Sequence, residues 1–243
     1  KWRDQYGSQV KDWIHAISRM EELLSFAVLA RTREVSYPEV TRHEKVEVSA
    51  ENLRHPLINP SKVVPNDAAF KGGATIITGS NMSGKTTFLR TLGINLILAY
   101  AGAPVCAEKM HADYMKIFTS MRVTDDVSNG ISTFYAEILR IKSMVEYKKN
   151  EMPMLCLIDE IFKGTNSADR IVGATQVIRK LSDDHSMTLV STHDFELCEL
   201  KSESGVPAAN YHFEEYLKFD YKKKDGRCTT TNAMAILHMA GLD

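Results

Sequence analysis

Eight consecutive residues, Gly79-Ser80-Asn81-Met82-Ser83-Gly84-Lys85-Thr86, follow the G-x-x-x-x-G-K-T spacing of a phosphate-binding loop. Each residue type has a task in that pattern. Glycines let the backbone curl until successive amide N–H groups aim at phosphate oxygens. A helix starting here adds the positive end of its dipole. Lys85 would reach the β- and γ-phosphates, and the Thr86 hydroxyl, with Thr87 beside it, would face Mg²⁺. The loop also needs a strand before it and a helix after it. Ala74-Thr75-Ile76-Ile77-Thr78 is apolar and strand-like, and Phe88, Leu89, Leu92, Ile97 and Leu98 recur at helical spacing. The pattern predicts a strand–loop–helix unit that binds a nucleoside triphosphate.

Further along lies the rest of a hydrolytic kit. Met154-Leu155-Cys156-Leu157-Ile158 is a continuous apolar run bounded by Pro153 and Asp159, the pattern of a buried parallel strand. It would deliver Asp159 beside the phosphate loop, to hold Mg²⁺ through water. Glu160, one residue on, would orient and deprotonate the attacking water. Phosphoryl transfer is mostly positioning and charge neutralisation, so loop, metal, Lys85 and one base suffice. Met187-Thr188-Leu189-Val190-Ser191 is a second buried strand, with His193 just past its end. Ligands of open α/β sheets bind outside the carboxyl ends of the strands. Thr78, Ile158 and Ser191 would then end at one crevice, with His193 touching the γ-phosphate.

The elements around these residues alternate. Helical periodicity covers 85–100, 133–149 (Phe134, Ile138, Ile141, Val145) and 168–182 (Ile171, Thr175, Ile178, Leu181). Tyr211–Phe213 and Leu217–Tyr221 predict a β-pair, and 230–241 a closing helix. Shorter strand-like pieces fall at 46–48 and 57–64. Such alternation predicts an α/β sandwich with a mostly parallel central sheet flanked by helices. The first thirty residues carry Val10, Ile14, Ile17, Leu24, Ala27 and Val28 on one stripe, a long N-terminal amphipathic helix whose apolar face needs a partner. A polar stretch over 32–44, broken by Pro38, reads as a linker. The division is a helical segment with linker over 1–45 and an ATPase domain over 46–243.

The chain has 243 residues, 44% hydrophobic and 25% charged, which is ordinary for a soluble globular protein. It lacks a run of about 18 apolar residues, so no membrane partner is expected. It begins at Lys1, without a methionine or a signal-peptide pattern, as a piece of something longer would. Cys106, Cys156, Cys198 and Cys228 form no C-x-x-C pair; their pattern supports neither a zinc site nor a disulfide framework and suits a reduced, cytoplasmic protein. A net charge of −1 does not announce a nucleic-acid binder. The one basic run, Lys222-Lys223-Lys224, precedes Asp225-Gly226 and reads as a solvated hairpin end in preference to a DNA footprint.

Four blocks in this order resemble the MutS family, the mismatch-repair and recombination ATPases related to ABC transporters. They are Thr78 through Thr86; Asp125-Asp126 with Gly130-Ile131-Ser132-Thr133-Phe134 and Glu137; Asp159-Glu160 with Gly164-Thr165-Asn166-Ser167-Ala168-Asp169; and Ser191-Thr192-His193-Asp194-Phe195-Glu196-Leu197. The resemblance implies a P-loop NTPase fold of ABC-like type, preceded by part of the family's core or lever helices. It implies a Mg²⁺-dependent ATPase with ATP and Mg²⁺ as cofactors. It implies a homodimer with composite sites, in which Ser132 reaches the partner's γ-phosphate. DNA would be a partner mainly through regions outside this chain. Asn81 would bind phosphate, Asp169 would couple the two sites, and Val63, Val64 and Pro65 would pack on adenine, where the family's aromatic stacker is not evident.

Departures are also visible. Ser83 stands where bacterial mismatch-repair members have glycine, and Phe162-Lys163 replaces the usual Gly-Arg. The closing segment, from Phe219 to Met234, looks more like shorter MutS-like branches that can lack the mismatch-reading domain. Two other readings stay open: a nucleotide switch with negligible turnover, and an ABC-like ATPase acting on non-DNA partners. A small-molecule kinase is disfavoured, since no acceptor-binding lid is apparent.

Overall fold

The computed structural model describes residues 1–43, 45–121, 133–150, 153–163, 165–202, 205–216 and 218–228. A six-stranded sheet forms its centre. In chain order its strands are β4 (Gly73–Gly79), β6 (Lys116–Ser120), β7 (Met154–Asp159), β8 (Ser186–Ser191), β9 (Ala209–Tyr216) and β10 (Lys218–Asp225), arranged β10-β9-β4-β8-β7-β6. All neighbours run parallel except the β9–β10 hairpin. A four-stranded sheet, ordered β1-β5-β2-β3, is built from β1 (Glu39–Thr41), β2 (Glu47–Leu53), β3 (Asn66–Lys71) and β5 (Lys109–Asp113).

Helices α3 (Lys85–Tyr100), α4 (Thr133–Lys148) and α5 (Ser167–Leu181) lie where periodicity placed them. They cover the central sheet on two sides, and its strands alternate their side chains between two cores. Leu155, Leu157, Met187 and Leu189 join Phe88, Leu89, Leu92 and Leu96 of α3 in one core. Met154, Cys156, Ile158 and Val190 join Ile141 and Met144 of α4 and Ala174 and Ile178 of α5 in the other. Burial on both faces is why β7 and β8 are continuous apolar runs. The chain is thus a mixed α/β fold preceded by a long helix.

The N-terminal stripe is a short helix α1 (Trp2–Tyr6), a 3₁₀ turn over Gly7–Gln9, and the long helix α2 (Val10–Thr32). None of the α2 residues is buried, and Trp13, Ile14, Ile17, Leu24 and Val28 are exposed. Within the stretch read as linker, Glu39–Thr41 forms β1, paired in parallel with β5. Residues 57–64 are turns and coil, not a strand. Pro56, Pro60 and Pro65 supply no backbone N–H, which suits turns and not a ladder. Strand β3 begins just after them. The helix read over 230–241 lies outside the described residues.

Candidate active site

Strand β4 runs into the phosphate loop and α3 leaves it, and two glycines make the passage possible. Gly79 has φ +142°, and a Cβ there would meet the Phe213 carbonyl oxygen at 2.4 Å. Gly84, the N-cap of α3, has φ +113°. Side-chain-bearing residues are strained in that region. Met82 also takes a positive φ, 66°, at the exposed tip of the loop.

Lys85 is buried, and its Nζ donates to the carbonyls of Gly79 and Ser80, each at 2.8 Å. Burial lowers its pKa, against the pull of Glu160 and Asp159. Among the described residues no carboxylate ion-pairs with it. A buried ammonium held only by carbonyl dipoles is poised for an anion. The buried Ser83 hydroxyl also lacks a partner among the described residues. Both features fit a phosphate group.

Beside the lysine, oxygen donors gather. The Thr86 hydroxyl lies 3.0 and 2.9 Å from the two carboxylate oxygens of Asp159. Ser191, the register partner of Asp159 on β8, donates its hydroxyl to the same carboxylate. Oxygen ligands on the first turn of α3 and the ends of β7 and β8 suit Mg²⁺ with retained waters.

Glu160 follows at φ 55° and Phe162 at φ 57°, so the chain turns sharply off β7. The Glu160 backbone N–H donates to Ser191 O at 2.9 Å, anchoring the turn to β8. One carboxylate oxygen meets His193 Nε2 at 3.0 Å, and the other ion-pairs with Lys163. Burial pushes the Glu160 pKa up, but Lys163 and His193 outweigh it and hold the carboxyl below its ordinary value. His193 Nε2 also lies 2.9 Å from Asn81 Oδ1. Burial first, and Lys85 next, lower the His193 pKa, so the ring is neutral at pH 7. Two acceptors around Nε2 select the tautomer protonated there.

Supports behind these groups were not read from the sequence. Arg170 of α5 grips Asp194 with two hydrogen bonds, 2.8 and 2.7 Å, steadying the turn that carries His193. Asn166 caps α5 by accepting from the Asp169 N–H at 2.9 Å. Buried Glu137 of α4 accepts from the Phe162 N–H at 2.8 Å and so holds the turn after Glu160. Its place in the second motif block was the available signal.

Asn81, Glu160 and His193 line one crevice at the carboxyl ends of β4, β7 and β8, and the hydrogen-bonded pair Thr86 and Asp159 lies beside it with Lys85. Ser132, Asp125 and Asp126 lie outside the described residues. A cavity of about 340 Å³ opens beside the loop, lined by Val63, Val64, Gly84, Thr87, Phe88 and Tyr221 among others. Tyr221 of β10 supplies an aromatic wall where sequence reading found none; Pro65 is not part of the lining. The lysines beside it are engaged within the fold. Lys222 Nζ donates to Pro65 O at 2.5 Å, Lys223 Nζ lies 3.8 Å from the Tyr211 ring centroid, and Lys224 pairs with Glu214 at 2.8 Å. The basic run sits inside β10, short of the Asp225-Gly226 end.

Residues 75–243 match the family model described as MutS domain V. The DNA mismatch repair protein MutS of Staphylococcus haemolyticus (strain JCSC1435) is 32% identical over 249 residues, covering 98% of this chain and 28% of that protein. The DNA mismatch repair protein MutS of Staphylococcus aureus (strain JH9) is 30% identical over 250 residues, with the same two coverages. The chain thus spans less than a third of the length of these relatives. The motif blocks, their order in the fold and these matches agree: the chain belongs to the MutS family.

Proposed function

We propose that this chain is the Mg²⁺-dependent ATPase domain, of ABC-like type, of a MutS-like DNA-repair protein. The convergence of Lys85, Thr86, Asp159, Glu160 and His193 at the carboxyl ends of β4, β7 and β8 carries the reading. ATP would lie with its phosphates on the loop amides and its base in the cavity walled by Val63, Val64 and Tyr221. Lys85 would exchange its carbonyl partners for phosphate oxygens. Thr86 and Asp159 would hold Mg²⁺, which when bound neutralises charge on the β- and γ-phosphates. Glu160, kept ionised by Lys163, would accept the proton of the attacking water, while neutral His193 and Asn81 face the γ-phosphate.

The relatives are DNA mismatch repair proteins, and they supply the setting. In that setting the chain would work as a homodimer, with Ser132 completing the partner's site. Nucleotide state would set the position of a DNA clamp joined through α2, and the DNA contacts would lie mainly outside this chain. No described helix is long and apolar enough to cross a membrane, and a cytoplasmic, DNA-associated place fits the proposal.

A fluorescent ATP analogue titrated with Mg²⁺ tests the binding half. Lys85→Ala is expected to raise Kd by about ten- to a hundredfold, the worth of a lost charged hydrogen-bond partner. Undiminished affinity in that variant would contradict the assignment.

A further inference from the structure

At the edge of the four-stranded sheet, beside the C-terminal end of α3 and so at the opposite end of that helix from the phosphate loop, three metal-binding side chains converge. One donor atom each of His43, His111 and Asp113 lies within 4.8 Å of the other two. We propose that this cluster is a binding site for a transition-metal cation of the Zn²⁺ class. His43 Nδ1 and Asp113 Oδ1 are 2.8 Å apart. Around a tetrahedral zinc ion with bonds of about 2.0–2.1 Å, neighbouring ligand atoms are separated by roughly 3.3 Å. The remaining closure, on the order of 1 Å or more, falls to imidazole rings on a strand edge, and His43 is more than half exposed.

The surroundings match what such a site requires. Glu47 offers a fourth donor, its Oε1 3.7 Å from His111 Nε2. The opposite ring nitrogen, Nδ1 of His111, faces Glu39 Oε2 at 3.7 Å. A carboxylate behind a ligating histidine is the usual means of fixing its ring and tautomer. Asp113 is buried, and its Oδ2 accepts from the Glu47 N–H at 2.9 Å, which leaves Oδ1 to His43 Nδ1 and the Thr41 hydroxyl. Two imidazoles and two carboxylates compensate a divalent charge, and imidazole selects zinc, copper or nickel over magnesium or calcium.

The Thr41 hydroxyl now sits among the donors, 2.8 Å from Asp113 Oδ1, 3.3 Å from His111 Nε2 and 3.4 Å from His43 Nδ1. Thr41 and Glu39 belong to β1 and His43 follows it, whereas His111 and Asp113 are their register partners or neighbours on β5. The bound ion would therefore staple the segment leaving α2 to the body of the fold.

The test uses the whole chain, stripped with EDTA, dialysed, and titrated with Zn²⁺ in the absence of nucleotide and Mg²⁺. One equivalent is expected to survive gel filtration and to raise the melting temperature. His43→Ala and His111→Ala should each weaken binding at least tenfold and abolish the melting shift, while His15→Ala on exposed α2 binds as the unchanged chain does. If His111→Ala does not fold, as judged by circular dichroism, the exposed His43 carries the test. A chain that retains no Zn²⁺, or histidine variants that bind it undiminished, would overturn the proposal.

Discussion

Glu160 and Phe162 hold φ values of 55° and 57°, a conformation that costs a residue with a side chain about 1–3 kcal/mol. Something must hold them there, and Glu137 is positioned to do so through the Phe162 N–H. Burial raises the Glu137 pKa, opposed by that N–H and by Arg140. A carboxyl with a raised folded-state pKa contributes stability below its unfolded pKa and loses it as pH rises through the folded value. Ionised Glu137 is therefore a cost at neutral pH. Glu137→Gln keeps an acceptor and removes the charge, so it should be at least as stable as the parent at pH 7, its lead shrinking as pH falls from 7 towards 4.5. Glu137→Ala should lose about 1–3 kcal/mol, the cost of an unpaired buried N–H. Urea unfolding of the three proteins at both pH values checks this, and a Gln variant as weak as Ala at pH 7 would contradict it.

At the scale of elements, the β9–β10 hairpin brings Tyr221 to the cavity that would take the base. If the ring stacks there, Tyr221→Ala should raise the Kd for ATP about two- to tenfold, the worth of an aromatic pair. Tyr221→Phe should leave it nearly unchanged. Equal affinities for all three, in the same fluorescence titration, would remove the ring from the binding site. Tyr221 also marks where sequence reading stopped. Residues 79–87, Asp159 and His193 were legible because local pattern states both their element and its burial. Tyr221 reaches the loop only because β9 pairs with β4 across more than a hundred residues, and nothing in its own neighbourhood says so. Strands β3, β5 and β6 escaped for a similar reason. In Asn66-Asp67-Ala68-Ala69-Phe70-Lys71 only Ala68 and Phe70 are buried, too short an alternation to stand out. Conversely, 57–64 looked strand-like by composition, and its flanking prolines decided otherwise.

Across the whole molecule, strand ends, turn and helix start meet at one edge of the central sheet, while α2 stands off with its apolar stripe exposed. The mixed α/β class and the long helix were readable from periodicity; the second sheet, built from segments 39–113, was not, because its pairings are non-local. The composite-site proposal belongs at this scale. A Glu160→Gln chain, arrested after ATP binding, should double its light-scattering mass when Mg-ATP is added. An unchanged mass would argue that one chain completes its own site.

Phosphate release from Mg-ATP, compared between the unchanged chain and Glu160→Gln, tests the assignment of ATP hydrolysis most directly. The unchanged chain should turn over, and the variant should bind ATP equally well yet release phosphate about 10²–10⁴-fold more slowly, the usual worth of a positioned general base. A variant that hydrolyses at the parental rate would remove Glu160 from the chemistry. A parent chain that binds ATP without turning it over would make the domain a nucleotide switch and not an ATPase.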